Sequence, residues 1–321
     1  MSANAYVTNQ GDGTISVIDT SNNTVTINIT LGNSPEGAAT TPDGTAVYAT
    51  NLNDGTVSVI NTSNNTVTAT ITVGTKPIGV AITPNGKYAY VANFSGSPGT
   101  VSVIDTSTKS VTATITVGNT PAGVAITPDG KYAYVTDKDN SGSAPFKVSV
   151  IDTGTNTVTA TITVGTNPYG VAIKPDGSLA YVANGGGTSK AVSVIDTGSN
   201  TITATVTVGN NPIGVAITPD GNYAYVTNET DGTVSVINTS NNTVTATITV
   251  GSQPAGIAIT PDAKYAYVVN SNGTPGTVSV IDTSTHTVTA TITVGNSPLA
   301  IAIGSLPPPI LSSYAAISAW W

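Results

Sequence analysis

One unit recurs along the chain, and a recurring unit constrains a fold before any single residue does. It reads Pro-x-Gly-Val-Ala-Ile-Thr-Pro-Asp-Gly-Lys-Tyr-Ala-Tyr-Val-x-Asn. A stretch of variable length follows, then Val-Ser-Val-Ile-Asp-Thr and Thr-Val-Thr-Ala-Thr-Ile-Thr-Val-Gly. The leading proline stands at Pro35, Pro77, Pro121, Pro168, Pro212, Pro254 and Pro298, at spacings of 42, 44, 47, 44, 42 and 44. Helical periodicity is absent. Each unit holds four short runs in which apolar and polar residues alternate, which is the pattern of strands. In the unit that opens at Pro77, strands A to D are predicted over Gly79–Thr83, Tyr88–Ala92, Val101–Ile104 and Val111–Val117. Turn residues such as Pro84-Asn85-Gly86 separate them.

Antiparallel four-stranded units at a period of about 40–50 residues are the blades of a propeller. The ends of the chain are complementary. The N-terminus supplies strands B, C and D without A, and residues Leu299–Ile303 supply an A strand without the others. The expected fold is therefore an all-β, seven-bladed β-propeller over residues 1–304, its ring closed by one blade shared between the termini. Closure removes the two open blade faces of a linear array. Residues 305–321 are expected to form a Pro-rich spacer and an apolar tail.

Strand B carries Tyr6-Val7-Thr8-Asn9 and Tyr225-Val226-Thr227-Asn228, with near-matches that begin at Tyr48, Tyr90, Tyr134, Tyr181 and Tyr267. These units resemble the YVTN β-propeller family. The resemblance implies seven blades and an extracellular, cell-surface setting of the surface-layer type. It extends weakly to lactonase-type propellers, whose sites would be expected to use Arg and a suitably placed His. This sequence has no Arg and a single His.

The composition closes off several chemistries. There is no Cys, all nine basic residues are Lys, and the net charge is −8. Thiolate catalysis and thiolate metal centres are excluded. Nucleic acid is not expected as a partner, because a phosphate backbone calls for clustered basic residues. No apolar run approaches the ~20 residues of a membrane helix, and no secretion signal stands at the start of the sequence.

Variation in the unit is localised. The B–C loops are 6, 6, 8, 11, 8, 6 and 8 residues long and account for every change in spacing. Insertions confined to one class of loop mark one rim of the ring, shared with the D–A loops, as the expected binding face.

A catalytic residue should break the repeat. Thirteen of the seventeen acids recur at turns, which leaves Glu36, Asp137, Asp139 and Glu229. His286 aligns with Asn23, Asn65, Lys109, Asn156, Asn200 and Asn242 at a C–D turn and is read as a solvated tip. No catalytic residue is assigned. In the longest B–C loop, Asp137-Lys138-Asp139-Asn140-Ser141-Gly142 has oxygen ligands at alternate positions, as a calcium loop does, and Asp137, Asp139 and Ser141 are the candidate ligands. The closing Glu of an EF-hand is missing. No cofactor is required by the sequence, with calcium the one candidate.

The tail contains Tyr314, Trp320 and Trp321, candidate contacts to a neighbouring subunit. The expectation is a non-enzymatic, extracellular structural or interaction module. Its partner is protein, by self-assembly or through a neighbouring surface protein, or surface glycan. The rival readings are a ligand- or carbohydrate-binding propeller with a calcium-stabilised loop, and a lactonase-like enzyme.

Overall fold

A computed structural model describes residues 3–138, 145–186 and 189–304. Among these described residues, twenty-eight strands form seven four-stranded antiparallel sheets. Blade 2 is typical, with strands Pro35–Thr40, Ala46–Asn51, Thr56–Asn61 and Thr66–Thr72 in spatial order. Blade 1 joins the termini as expected. Strand Pro298–Ile303 pairs with Asn4–Asn9, which pairs with Thr14–Asp19 and then Thr24–Thr30. Among the described residues no helix is long and apolar enough to cross a membrane.

The apolar core lies between blades. Tyr48, Val57, Val59 and Ile71 of blade 2 pack on Val80, Ala89, Val91 and Ile104 of blade 3. Strands B and C alternate, yet both of their faces are buried, because each blade is sandwiched between two others. Strand D is largely exposed. Its register slips once in every blade, and in blade 2 the slip lies opposite Val59 and Ile60. There Thr68 bonds the Val59 carbonyl at 3.2 Å. In every blade one threonine of strand D is used in this way within its own sheet.

Each letter of the Tyr-Val-Thr-Asn motif has a structural task. Tyr and Val fill the seam between blades. Thr is a suture: the Thr50 hydroxyl accepts the Gly37 N–H at 2.8 Å and donates to the Ile78 carbonyl of the next blade at 2.8 Å. Thr8, Thr136 and Thr227 make the same pair of bonds. Asn holds the incoming loop. Asn51 accepts the Gly32 N–H through Oδ1 and donates through Nδ2 to Thr56 and Ser58.

The tyrosine hydroxyl also reaches the C–D turn of the next blade. Tyr90, Tyr134, Tyr181 and Tyr267 donate to Oδ1 of Asn156, Asn200, Asn242 and Asn23 at 2.8, 2.6, 2.6 and 2.5 Å. Tyr6 meets Asn65 at a longer 3.5 Å. His286 takes the same position, its Nδ1 3.1 Å from the Tyr225 hydroxyl. Its turn position is therefore a blade-to-blade latch as well as a tip, which its alignment with Asn did not reveal. All seven residues at this turn position have φ between 54° and 59°, a left-handed conformation that Asn tolerates well. The seam between blades 2 and 3 lacks the latch. Lys109 stands there, its ammonium 3.2 Å from the Thr68 hydroxyl, and a cleft of about 720 Å³ opens beside Tyr48.

Candidate functional site

Strand A begins two residues earlier than its alternation predicts, at the proline of each unit. The pairing of A with B slips directly after that proline: Pro35 faces Asn51, but Ala38 faces Ala49. One extra residue is accommodated on strand A, and such a bulge re-aims side chains. The residue between Pro and Gly is thereby placed at the axial mouth. Around the ring these residues are Glu36, Ile78, Ala122, Tyr169, Ile213, Ala255 and Leu299, and all seven line one cavity of about 260 Å³. The following glycine is forced by packing. A Cβ on Gly37 would lie 2.1 Å from the Ile78 carbonyl oxygen, and one on Gly123 2.3 Å from that of Tyr169.

A second variable position sits directly after strand B. It holds Gln10, Leu52, Phe94, Lys138, Gly185, Glu229 and Ser271. Several of these meet the first set. Gln10 Nε2 donates to Glu36 Oε1 at 2.6 Å. Asn211 donates its amide to Glu229 Oε2. The Lys138 ammonium lies 4.1 Å from the centroid of the Tyr169 ring and 5.8 Å from that of Phe94. Two of the four acids that break the repeat thus converge on one mouth, with a lysine and two aromatic rings beside them.

The electrostatics follow from burial. Desolvation pushes the Glu36 carboxyl up to about 7, against the amide of Gln10 and the weaker pull of Lys138. Burial lowers the Lys138 ammonium, opposed by attraction to Glu229 and Glu36. The Tyr169 phenol is raised by burial and by both carboxylates. Neither glutamate closes on Lys138 as an ion pair; those among the described residues are Lys131–Asp129, Lys174–Asp176 and Lys264–Asp262.

The third repeat-breaking acid lies nearby in another role. Asp137 ends strand Tyr132–Asp137 in the place of the motif Asn, and it is 2% exposed. Ser149 donates to its Oδ2 at 2.6 Å, while Oδ1 has no hydrogen-bond partner among the described residues. Burial raises its carboxyl to about 7, opposed by Ser149, the Gly118 N–H and Lys147. Asp139 and Ser141, the other candidate calcium ligands, lie outside the described residues, as do Tyr314, Trp320 and Trp321. Among the described residues no group of three His, Cys, Asp or Glu is placed to hold a metal ion.

The mouth was not identified from the sequence, although its signal was present. The x of Pro-x-Gly varies from blade to blade inside a repeated setting, and so does the residue after Tyr-Val-x-Asn, where the variable loop begins. A strand A that starts at the glycine, as alternation predicts, leaves the position of Glu36 outside the strand.

The family described as Cytochrome D1 heme domain matches residues 3–123 and 186–299, nearly three quarters of the chain. The family described as Lactonase, 7-bladed beta-propeller matches residues 100–217. A chain of hydrazine synthase from Kuenenia stuttgartiensis superposes with a TM-score of 0.79 at 25% identity, over 87% of this chain and 92% of that one. A functionally unknown protein from Desulfotomaculum acetoxidans gives 0.76 at 21% identity, over 94% and 99%. A PE-PGRS family protein of Mycobacterium tuberculosis is 62% identical over 39 residues, 12% of this chain; the match spans 8% of that protein.

The residues at the mouth do not fit a heme. Heme iron is held by His, Cys, Met or Tyr. The one histidine is engaged with Tyr225 at a C–D turn, away from the B–C rim, and there is no cysteine. Tyr169 offers one phenol, and its ring carries Lys138. Glu36 and Glu229 add negative charge to a site that would have to take the carboxylates of a heme, and the chain has no Arg to bind them. The cavity is also smaller than the ~300–1,000 Å³ of common ligand sites.

Proposed function

The chain belongs to the Cytochrome D1 heme domain family, and we propose that within it this molecule is a non-enzymatic binding module of the cell surface, working through the B–C and D–A rim and its axial mouth. The observation that carries this reading is the gathering of blade-to-blade variation at that mouth. Repeats whose strands are otherwise close to identical differ at two adjoining positions per blade, and nine of those side chains line one cavity. Packing alone would not require Glu36, Tyr169, Lys138 and Glu229 to differ from their counterparts.

The cell-surface setting is carried over from the repeat resemblance. The non-enzymatic reading rests on the make-up of the mouth: both glutamates are held by amide donors, and among the described residues neither accepts a hydrogen bond from a serine, tyrosine or lysine that it could activate. Self-assembly through the tail remains part of the proposal, with Tyr314, Trp320 and Trp321 as its contacts.

A library of small ligands, screened by thermal shift against wild type and a Glu36→Gln/Glu229→Gln variant, tests the reading. Ligands that raise the melting temperature of wild type alone are expected. Metal-dependent turnover of lactones or phosphoesters that is lost in the variant would replace it with an enzymatic one.

A further inference from the structure

Lys138 behaves as a ligand would at the mouth. Its ammonium lies over the Tyr169 ring at 4.1 Å, within reach of the Phe94 ring at 5.8 Å, and it is attracted by Glu229 and Glu36. Aromatic faces are the usual surroundings of an organic cation, and here two carboxylates add their attraction without closing on the ammonium as ion pairs. The carboxylates also have capacity to spare. Among the described residues each has one side-chain partner, Gln10 or Asn211, whereas an ionised carboxylate can accept about four hydrogen bonds.

We infer that the axial mouth is a site for a small organic ammonium with a short apolar body, and that Lys138 is the chain's own occupant of it. This rests on the mouth being a binding site and goes on to name the chemical class of its ligand. With both glutamates ionised, the two carboxylates and one ammonium leave a net single negative charge, which favours a monocation over an anion. Ile78, Ile213 and Leu299 on the wall suit a hydrocarbon chain. A cavity of about 260 Å³ limits the ligand to a handful of heavy atoms.

Calorimetric titration of n-butylammonium, tetramethylammonium and butyrate tests this at pH 8, where Glu36 is largely ionised. Both ammonium ions are expected to bind wild type, at least fivefold more tightly after Lys138→Met, and not measurably after Glu36→Gln/Glu229→Gln. Saturating tetramethylammonium should also release Lys138 in the wild-type protein and speed its acetylation relative to Lys87, a readout that needs no variant. Preferential binding of butyrate overturns the cation assignment and leaves the binding reading standing. Ammonium binding with no change in Lys138 acetylation overturns the role given to Lys138. Binding of none of the three probes to any variant overturns the inference, whereas the ligand screen separately decides the binding reading.

Discussion

The Tyr267 hydroxyl donates to Asn23 Oδ1 at 2.5 Å across a separation of 244 residues, and this bond ties the last full blade to the first. Four other seams carry the same Tyr–Asn latch, and His286 serves at a fifth. At the closing seam the latch adds to the pairing of strand Pro298–Ile303 with Asn4–Asn9. Tyr267→Phe removes one hydrogen bond and leaves the packing. A loss of about 1 kcal/mol is expected, as for a typical internal hydrogen bond. Urea denaturation should show a lower midpoint with an unchanged slope.

Lys109 is the exception at the latch position, and Tyr48 there reaches only the Thr106 carbonyl at 3.5 Å. The backbone is already left-handed at 54° and needs no adjustment for Asn. Lys109→Asn should restore the latch and stabilise the ring by about 1 kcal/mol. Differential scanning calorimetry should show a melting temperature higher by about 2 °C.

Glu36 and Asp137 make stability depend on pH. Burial raises each from near 4 in the unfolded chain to about 7 in the fold. Between those values the folded protein holds more protons than the unfolded one, so stability falls as pH rises from about 4 to 7. At about 1.4 kcal/mol per unit, each group contributes a loss on the order of 3 kcal/mol. Asp137→Asn should remove part of that slope and raise the melting temperature at pH 8, because its amide can donate to Ser149 as the motif Asn does in other blades. An unchanged slope in both Asp137→Asn and Glu36→Gln would contradict the assignment.

Gly123 lies where a Cβ would meet the Tyr169 carbonyl oxygen at 2.3 Å, and backbone cannot swing aside. Gly123→Ala should cost about 1–3 kcal/mol, as overpacking does, and shift Tyr169. Gly154→Ala is the control. Its nearest neighbour is the Asp152 carboxylate at 3.3 Å on an exposed turn. Thermal melts of the two variants should differ by several degrees.

Fold and closure were legible because a strand repeat leaves few arrangements. Period, turn residues and complementary ends all pointed to seven blades, and the B–C insertions pointed to the rim on which the mouth opens. The site itself was half legible. Removing the acids that repeat isolated Glu36, Asp137, Asp139 and Glu229, but their grouping was hidden. Glu36 and Glu229 are 193 residues apart in the sequence and in different blades, and the bulge that turns Glu36 inward lies at a Pro-x-Gly ahead of the strand that alternation predicts.

The latch shows the same division. The sequence alone determined that His286 and its Asn counterparts occupy one turn position, because spacing within a repeat is local. That this position reaches the tyrosine of the preceding blade depends on how one sheet lies against the next. Alternation set each strand, and the motif set each blade. Only the closed ring decided which side chains share the axis, because ring geometry brings together residues that nothing in the local pattern connects.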